Sequence, residues 1–374
     1  MKIIQFILIL CFQYSFSQVT FQITQLPENR NDYENIYLSG DFEGWSGGQA
    51  AYQLSNKNEL LYITIPEQSE AIHFKFTKGS WDTVEVDANG NQIEDRIYQF
   101  KNQPDTLNIQ IANWSEKIEK KSTATKNVTV LSEDFNMPQL ENRERRIWVY
   151  VPPDYETSQK KYPVLYMHDG QNLFDELSSF SGEWQVDESL NQLFKDNNLA
   201  LIVIGIDNGG DKRLEEYSPW KNEKYGGGKG DLYLEFIVKT LKPFVDKNYR
   251  TKADKKNTGL MGSSMGGLIS HYGALKYPET FGKIGVFSPA FWFSIESFPF
   301  AETNSKLKST KMYFLAGDEE GEGVIPDMEK MQSIMHNNGF NSKKITSKIV
   351  HGGKHNEDLW RKSFPEAVLW LFEI

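Results

Sequence analysis

The chain has 374 residues, 39% hydrophobic and 25% charged, the balance of a globular protein rather than a disordered or membrane-embedded one, and its length suits two compact domains. A formal charge of -10 with no basic stripe argues against nucleic acid as a partner, because that binding is driven by lysines and arginines neutralising phosphates. Aromatic residues reach 13%, which suits surfaces that stack on flat ligands.

Met1-Lys2 opens onto an apolar run over residues 3–12, and small residues follow at Ser15 and Ser17. A basic start, a short apolar core and a small-residue cleavage site predict a secretory signal peptide over residues 1–17 and a secreted or periplasmic protein. The alternative for the run is a buried first strand. Cys11, the single cysteine, falls inside it, so the mature chain would carry no disulfide, and Leu10 before it argues against a lipoprotein. No later segment approaches the roughly 18 apolar residues of a membrane span.

Residues 18–114 hold short alternating runs, among them Leu61-Tyr62-Ile63-Thr64-Ile65 and Ile72-His73-Phe74-Lys75-Phe76, separated by polar turns such as Asp87-Ala88-Asn89-Gly90-Asn91. Period-two alternation predicts an all-β, antiparallel, immunoglobulin-like sandwich. Residues 115–127, rich in Lys, Glu, Ser and Thr, read as a linker. Over residues 128–374 the pattern changes. Strands are predicted at 147–151, 163–167, 200–206, 258–261, 283–287, 311–315 and 344–350, with helices at 186–195, 231–249, 265–277, 326–337 and 359–372. Several strands are nearly continuous apolar runs, as strands covered on both faces should be, and their alternation with helices predicts an α/β, doubly wound, mostly parallel sheet.

Gly262-Ser263-Ser264-Met265-Gly266 sits where a predicted strand turns into a predicted helix. In that context a Gly-x-Ser-x-Gly run is a nucleophile elbow of the α/β-hydrolase type: the turn strains the serine backbone, and side chains at Gly262 or Gly266 would collide with neighbouring backbone. The plainer reading is a helix N-cap serine. Ser263 is a local rival, but the spacing puts Ser264 in the elbow.

A serine hydroxyl needs a base, and this fold supplies its partners in the order Ser, Asp or Glu, His. Of the six histidines, His73 and His168 precede the elbow, His271 lies on the helix behind it, and His336 ends a helix before Asn337-Asn338-Gly339, where it complements the helix dipole. His351 and His355 remain, in the loop before the last helix; His355 is favoured because it sits just ahead of that helix rather than on the strand end. After the strand at 311–315, Ala316-Gly317-Asp318-Glu319-Glu320-Gly321 offers three carboxylates. Glu320 is selected as the acid, since in hydrolases of this class the acid commonly stands three residues after such a glycine, with Asp318 second.

The oxyanion formed on attack needs two preorganised amide donors. The backbone N–H of Met265 is one, and Gln171, in His168-Asp169-Gly170-Gln171-Asn172, is nominated for the other; His168 and Asp169 there read as scaffold. The glycine-rich stretch Tyr225-Gly226-Gly227-Gly228-Lys229-Gly230 is either a flexible rim of the site or a plain connector, and it lacks the Lys-Ser or Lys-Thr of a phosphate loop. No metal-ligand spacing stands out, and no cofactor is expected.

From Arg145 onward the chain resembles the esterase group that holds feruloyl and acetylxylan esterases of the first carbohydrate esterase family, enterochelin-type siderophore esterases and esterase-D-like enzymes. The resemblance rests on Val151-Pro152-Pro153-Asp154-Tyr155, Tyr166-Met167-His168-Asp169-Gly170-Gln171-Asn172-Leu173-Phe174, Gly182-Glu183-Trp184, Glu216-Tyr217-Ser218-Pro219, the elbow, Phe287-Ser288-Pro289-Ala290-Phe291-Trp292 and His355-Asn356-Glu357-Asp358-Leu359-Trp360. It implies a serine esterase with Ser264, His355 and the two amide donors in these roles, an acid that relatives supply as Asp or Glu, and a substrate pocket involving Trp184, Tyr217 and Trp292. Residues 18–114 resemble starch- and glycogen-binding sandwich modules through the segments around Trp45 and Trp81, which implies indole faces for stacking on sugars; the alternative places both tryptophans in the sandwich core.

The implied activity is removal of feruloyl or acetyl groups from plant polysaccharide. Siderophore trilactones or short acyl esters are the alternative substrates, and a non-catalytic glycan-binding surface protein is the alternative class.

Overall fold

The computed structural model describes residues 18–27, 35–57, 60–68, 71–101, 103–115, 121–305 and 309–372. The segment read as a signal peptide, with Cys11, lies outside the described residues. The chain divides into two compact units, Met1–Glu119 and Lys120–Ile374.

The first unit is a β-sandwich. One sheet orders the strands Ser55–Lys57, Leu60–Pro66, Gln18–Gln25 and Asp105–Gln110; the facing sheet orders Tyr37–Gly40, Ile72–Thr77 and Arg96–Tyr98. Alternation places Leu61, Ile63 and Ile65 on one inner face and Ile72, Phe74 and Phe76 on the other, and all six are buried in a common core with Phe21. Phe21 meets Phe74 edge-on at 4.8 Å. One pairing departs from the antiparallel expectation: Gln18–Gln25 runs parallel to Asp105–Gln110. The intervening chain builds the facing sheet before it returns, so the last strand arrives in the same direction as the first, which a hairpin connection does not permit.

In the second unit eight strands form one sheet: β1 (Val128–Met137), β2 (Arg143–Tyr150), β3 (Val164–His168), β4 (Ile202–Ile206), β5 (Thr258–Ser263), β6 (Lys283–Phe287), β7 (Lys311–Gly317) and β8 (Ile345–Val350). Their order is β1-β2-β4-β3-β5-β6-β7-β8, with β2 antiparallel to both neighbours and β3 to β8 parallel. Every residue of β3, β4 and β5 is buried, which explains their unbroken apolar sequences. Helices α1 (Val186–Asn197), α2 (residues 230–248), α3 (Met265–Lys276), α4 (Ser297–Asn304), α5 (Val324–Asn337) and α6 (Glu357–Phe372) cover the sheet. Leu190 of α1 and Phe364 of α6 belong to one core layer; Leu234 of α2, Leu268 of α3 and Met328 of α5 belong to the other.

Three elements of this unit differ from the sequence expectation, and one of them, α4, is too short at eight residues to carry a periodic signal. The antiparallel edge strand β1 goes unpredicted because only Met137 of its ten residues is buried and its register with β2 shifts twice, so no clean alternation marks it. Helix α2 widens to a π-helical turn at Ile237–Leu241 just ahead of Pro243, which has no N–H to donate into the regular ladder. The stretch read as a linker is fastened at its far end: Ser122 Oγ and the Thr123 backbone N–H donate to the Asp175 carboxylate, and Asn127 donates to the Val151 carbonyl.

Candidate active site

Strand β5 ends at Ser263, helix α3 starts at Met265, and Ser264 takes the sharp turn between them at φ 57°, ψ −119°. Left-handed backbone is costly for a residue with a Cβ and persists only when its surroundings enforce it. Here the Ser264 N–H donates to the Phe287 carbonyl at 2.9 Å, and the Ser264 carbonyl accepts from the Leu268 and Ala290 amides, each at 3.1 Å. The glycine requirement falls somewhat differently from expectation. A Cβ on Gly262 would stand 2.9 Å from the His168 ring and 3.0 Å from Gly266 backbone, and one on Gly267 would stand 2.7 Å from the Phe287 carbonyl, whereas one on Gly266 would meet only side-chain atoms, at 3.4 Å and beyond. The crowded partner of Gly262 is therefore Gly267, which packs α3 onto β6, rather than Gly266.

Ser264 opens onto a cleft of about 800 Å³ whose lining includes Gln171, Trp184, Arg213, His355 and Trp360. His355 arrives from the loop between β8 and α6 with its side chain 37% exposed, and its Nδ1 lies 2.8 Å from Oε2 of Glu320, whose side chain is fully buried. The other carboxylate oxygen, Glu320 Oε1, accepts the Gly317 N–H at 2.6 Å and the Ser288 hydroxyl at 2.7 Å. Ser288 in turn accepts the indole N–H of Trp360 at 2.8 Å. Trp360 also packs its ring edge-on against the His355 imidazole at 5.2 Å. The carboxylate is thus held from three sides, and a carboxylate bound to Nδ1 leaves Nε2 as the proton-accepting nitrogen.

Asp318 and His351 are joined to each other instead, at 2.7 Å, on the surface, with the His351 side chain 99% exposed. Their contact raises the His351 pKa and lowers that of Asp318, as an exposed ion pair does.

Met265 opens α3, so its N–H is among those without an intrahelical acceptor. Gln171 lies in the single turn Gly170–Asn172 after β3, a turn pressed so closely on β4 that a Cβ at Gly170 would stand 2.8 Å from the Asp207 nitrogen. Asp169 anchors that turn: Arg213 grips its carboxylate at 2.6 and 2.9 Å and Asn208 at 2.7 Å. Burial alone would raise the Asp169 pKa, but Arg213 and Asn208 hold it below the usual range. His168 is buried with Nδ1 2.8 Å from the Tyr233 hydroxyl, and burial pushes its pKa down to about 3, so it is neutral.

Of the residues assigned to a substrate pocket, Trp184 lines the cleft and stacks on Phe287 at 5.7 Å. Tyr217 does not reach it. That side chain is wholly buried beneath the loop, its hydroxyl accepting the Asp169 N–H at 3.1 Å, so it supports the loop from below. Trp292 is 56% exposed and packs against Tyr225, outside the lining of the cleft. The glycine-rich stretch is a built hairpin in which Gly226–Gly227 pairs with Lys221–Asn222, and a Cβ on Gly227 would stand 2.4 Å from the Trp220 carbonyl. In the first unit Trp45 and Trp81 lie outside the apolar core; their rings meet at 5.7 Å, Trp81 is 37% exposed, and its indole N–H donates to the Trp45 carbonyl. Ser288 and Trp360 were given no role by sequence reasoning, although both stand inside the motifs that carry the resemblance; the left-handed backbone of Ser288, at φ 44°, is the structural mark that singles it out.

A family model described as "Putative esterase" matches residues 139–371. The uncharacterized protein YbbA of Bacillus subtilis (strain 168) is 30% identical over 242 residues, which cover 61% of this chain and 92% of that protein. The endo-1,4-beta-xylanase/feruloyl esterase of Xylanibacter ruminicola is 24% identical over 312 residues, 80% of this chain but only 36% of that larger protein. Among solved structures, the enterobactin esterase FES of Shigella flexneri shares the fold with a TM-score of 0.56 at 13% identity, over 95% of this chain and 92% of that one. Among the described residues no helix is long and apolar enough to cross a membrane. Matched across nearly all of its second unit, the chain belongs to this esterase family, carboxylic ester hydrolases on the α/β-hydrolase fold.

Proposed function

We propose that this chain is a secreted serine esterase that removes feruloyl or acetyl groups from plant polysaccharide through an acyl-enzyme. The observation that carries the reading is the bond from His355 Nδ1 to the buried Glu320 carboxylate at the mouth of the cleft that Ser264 enters. In this reading His355 Nε2 takes the Ser264 proton as Oγ attacks the ester carbonyl, and Glu320 stabilises the imidazolium without taking the proton itself. The Met265 and Gln171 amides receive the oxyanion, an interaction whose loss typically costs about 3–4 kcal/mol of barrier. His355 then protonates the departing sugar alkoxide, and water enters by the same route to release the acid. Aromatic walls at Trp184 and Trp360, and the exposed Phe180 beside them, favour a flat acyl group. The name of the Xylanibacter relative agrees. Secretion is supported by the pattern of residues 1–17. The Trp45–Trp81 pair, with Trp81 exposed, suits a sugar ring on the first unit.

Siderophore trilactones are the second reading, favoured by the likeness of both units to the enterobactin esterase. A panel of feruloyl, acetyl-xylan and trilactone esters separates the two. Methyl ferulate is expected to turn over fastest, and Ser264→Ala to lose at least about 10³-fold in kcat while remaining folded. Normal hydrolysis by that variant would remove Ser264 from the mechanism, and preference for the trilactone would move the substrate to the second reading.

A further inference from the structure

Next to the cleft wall at Trp184, three carboxylates converge. Glu183 precedes α1, Asp187 and Glu188 lie in its first turn, and one oxygen from each lies within 4.8 Å of the others. Glu183 is 2% exposed and Asp187 not at all. Each is half satisfied by the strap that leads into β1: Glu183 Oε2 accepts the Thr123 hydroxyl at 2.9 Å, and Asp187 Oδ2 accepts the Thr125 N–H at 2.7 Å. Glu183 Oε1, Asp187 Oδ1 and Glu188 Oε2 are left buried with no hydrogen-bond partner. Three carboxylates brought this close, each with a buried oxygen left unbonded, are costly without a counter-charge, and a single hard cation answers all three.

We infer that Glu183, Asp187 and Glu188 bind one divalent cation of the calcium class, each through the oxygen that the rest of the chain leaves unbonded. Oxygens on one calcium ion, at about 2.3–2.6 Å from it, lie at most about 5 Å apart, and the three carboxylates come within 4.8 Å of one another. The ion joins three pieces of the second unit: the strap through its threonines, the first turn of α1, and the cleft wall through Trp184, which follows Glu183 in the chain. It is independent of the reaction proposed at Ser264.

The test uses the full chain, stripped with a chelator and returned to chelator-free buffer. Calorimetric titration with calcium should show one ion per chain, with a Kd of about 10⁻⁵–10⁻³ M. Terbium should bind at the same place, emit on indole excitation through Trp184, and be displaced by calcium. Glu188→Gln keeps both threonine bonds and should fold, yet bind calcium at least about tenfold more weakly. If wild type binds nothing below about 10 mM calcium, far above the range of such sites, the three carboxyls are held by shared protons and the inference falls. Undiminished binding in Glu188→Gln overturns it as well, because the ion then sits elsewhere.

Discussion

Asp318 and Glu320 stand two residues apart, yet their carboxyls reach different histidines, one in solvent and one over the cleft. Burial and three donors give the Glu320 carboxylate a fixed direction, whereas Asp318 shares a water-exposed contact of the kind worth little. Replacing Glu320 with Gln keeps the size but removes the charge that, in the proposed mechanism, steadies an imidazolium. The expected loss in kcat is about 10²–10⁴-fold, against a change within about twofold for Asp318→Asn or His351→Ala, measured on one ester under identical conditions. A larger loss in Asp318→Asn would transfer the acid role to that residue.

The elbow depends on how closely α3 approaches β6, and glycine sets that distance. Gly267→Ala would push a methyl against the Phe287 carbonyl, which itself holds the Ser264 amide, whereas Gly266→Ala meets only side-chain atoms at ordinary contact distance. The first is expected to cost about 1–3 kcal/mol more than the second in urea unfolding, and the reverse order would show that the helix approach is not what the turn requires. Elements of this kind were largely legible in the sequence. Lys283–Phe287 has the predicted ends, α1 and α3 start at the predicted Val186 and Met265, and the other strand and helix ends agree or differ by a few residues, because buried strands and amphipathic helices carry strong periodic signals. The elbow and the two histidine candidates followed from spacing and chain order. What could not be read depends on contacts between distant segments. The Trp360–Ser288–Glu320 relay joins three separate stretches, and the aromatic Tyr217 looks like a pocket residue until the loop of Asp169 is seen to lie over it.

At the scale of the whole second unit, two imidazoles are locked away from water. Burial lowers the pKa of both His168 and His271 to about 3, against about 6.5 in an unfolded chain. Between those values the unfolded chain binds a proton at each ring and the folded one does not, so stability falls as pH falls, by about 1.4 kcal/mol per unit for each histidine. At pH 5 the deficit relative to pH 7.5 is about 2 kcal/mol apiece, and His271→Leu should lessen the loss of stability between these pH values by about that amount in urea unfolding. An identical shift in wild type and variant would mean that His271 titrates freely. The order of strands along the chain has a consequence for biosynthesis. In the proposed mechanism the nucleophile Ser264, the acid Glu320 and the base His355 emerge from the ribosome in that sequence, the base just ahead of α6. A polypeptide that stops short of residue 355 would then hold a hydroxyl without its base, and hydrolytic power would wait until the loop after β8 has been made.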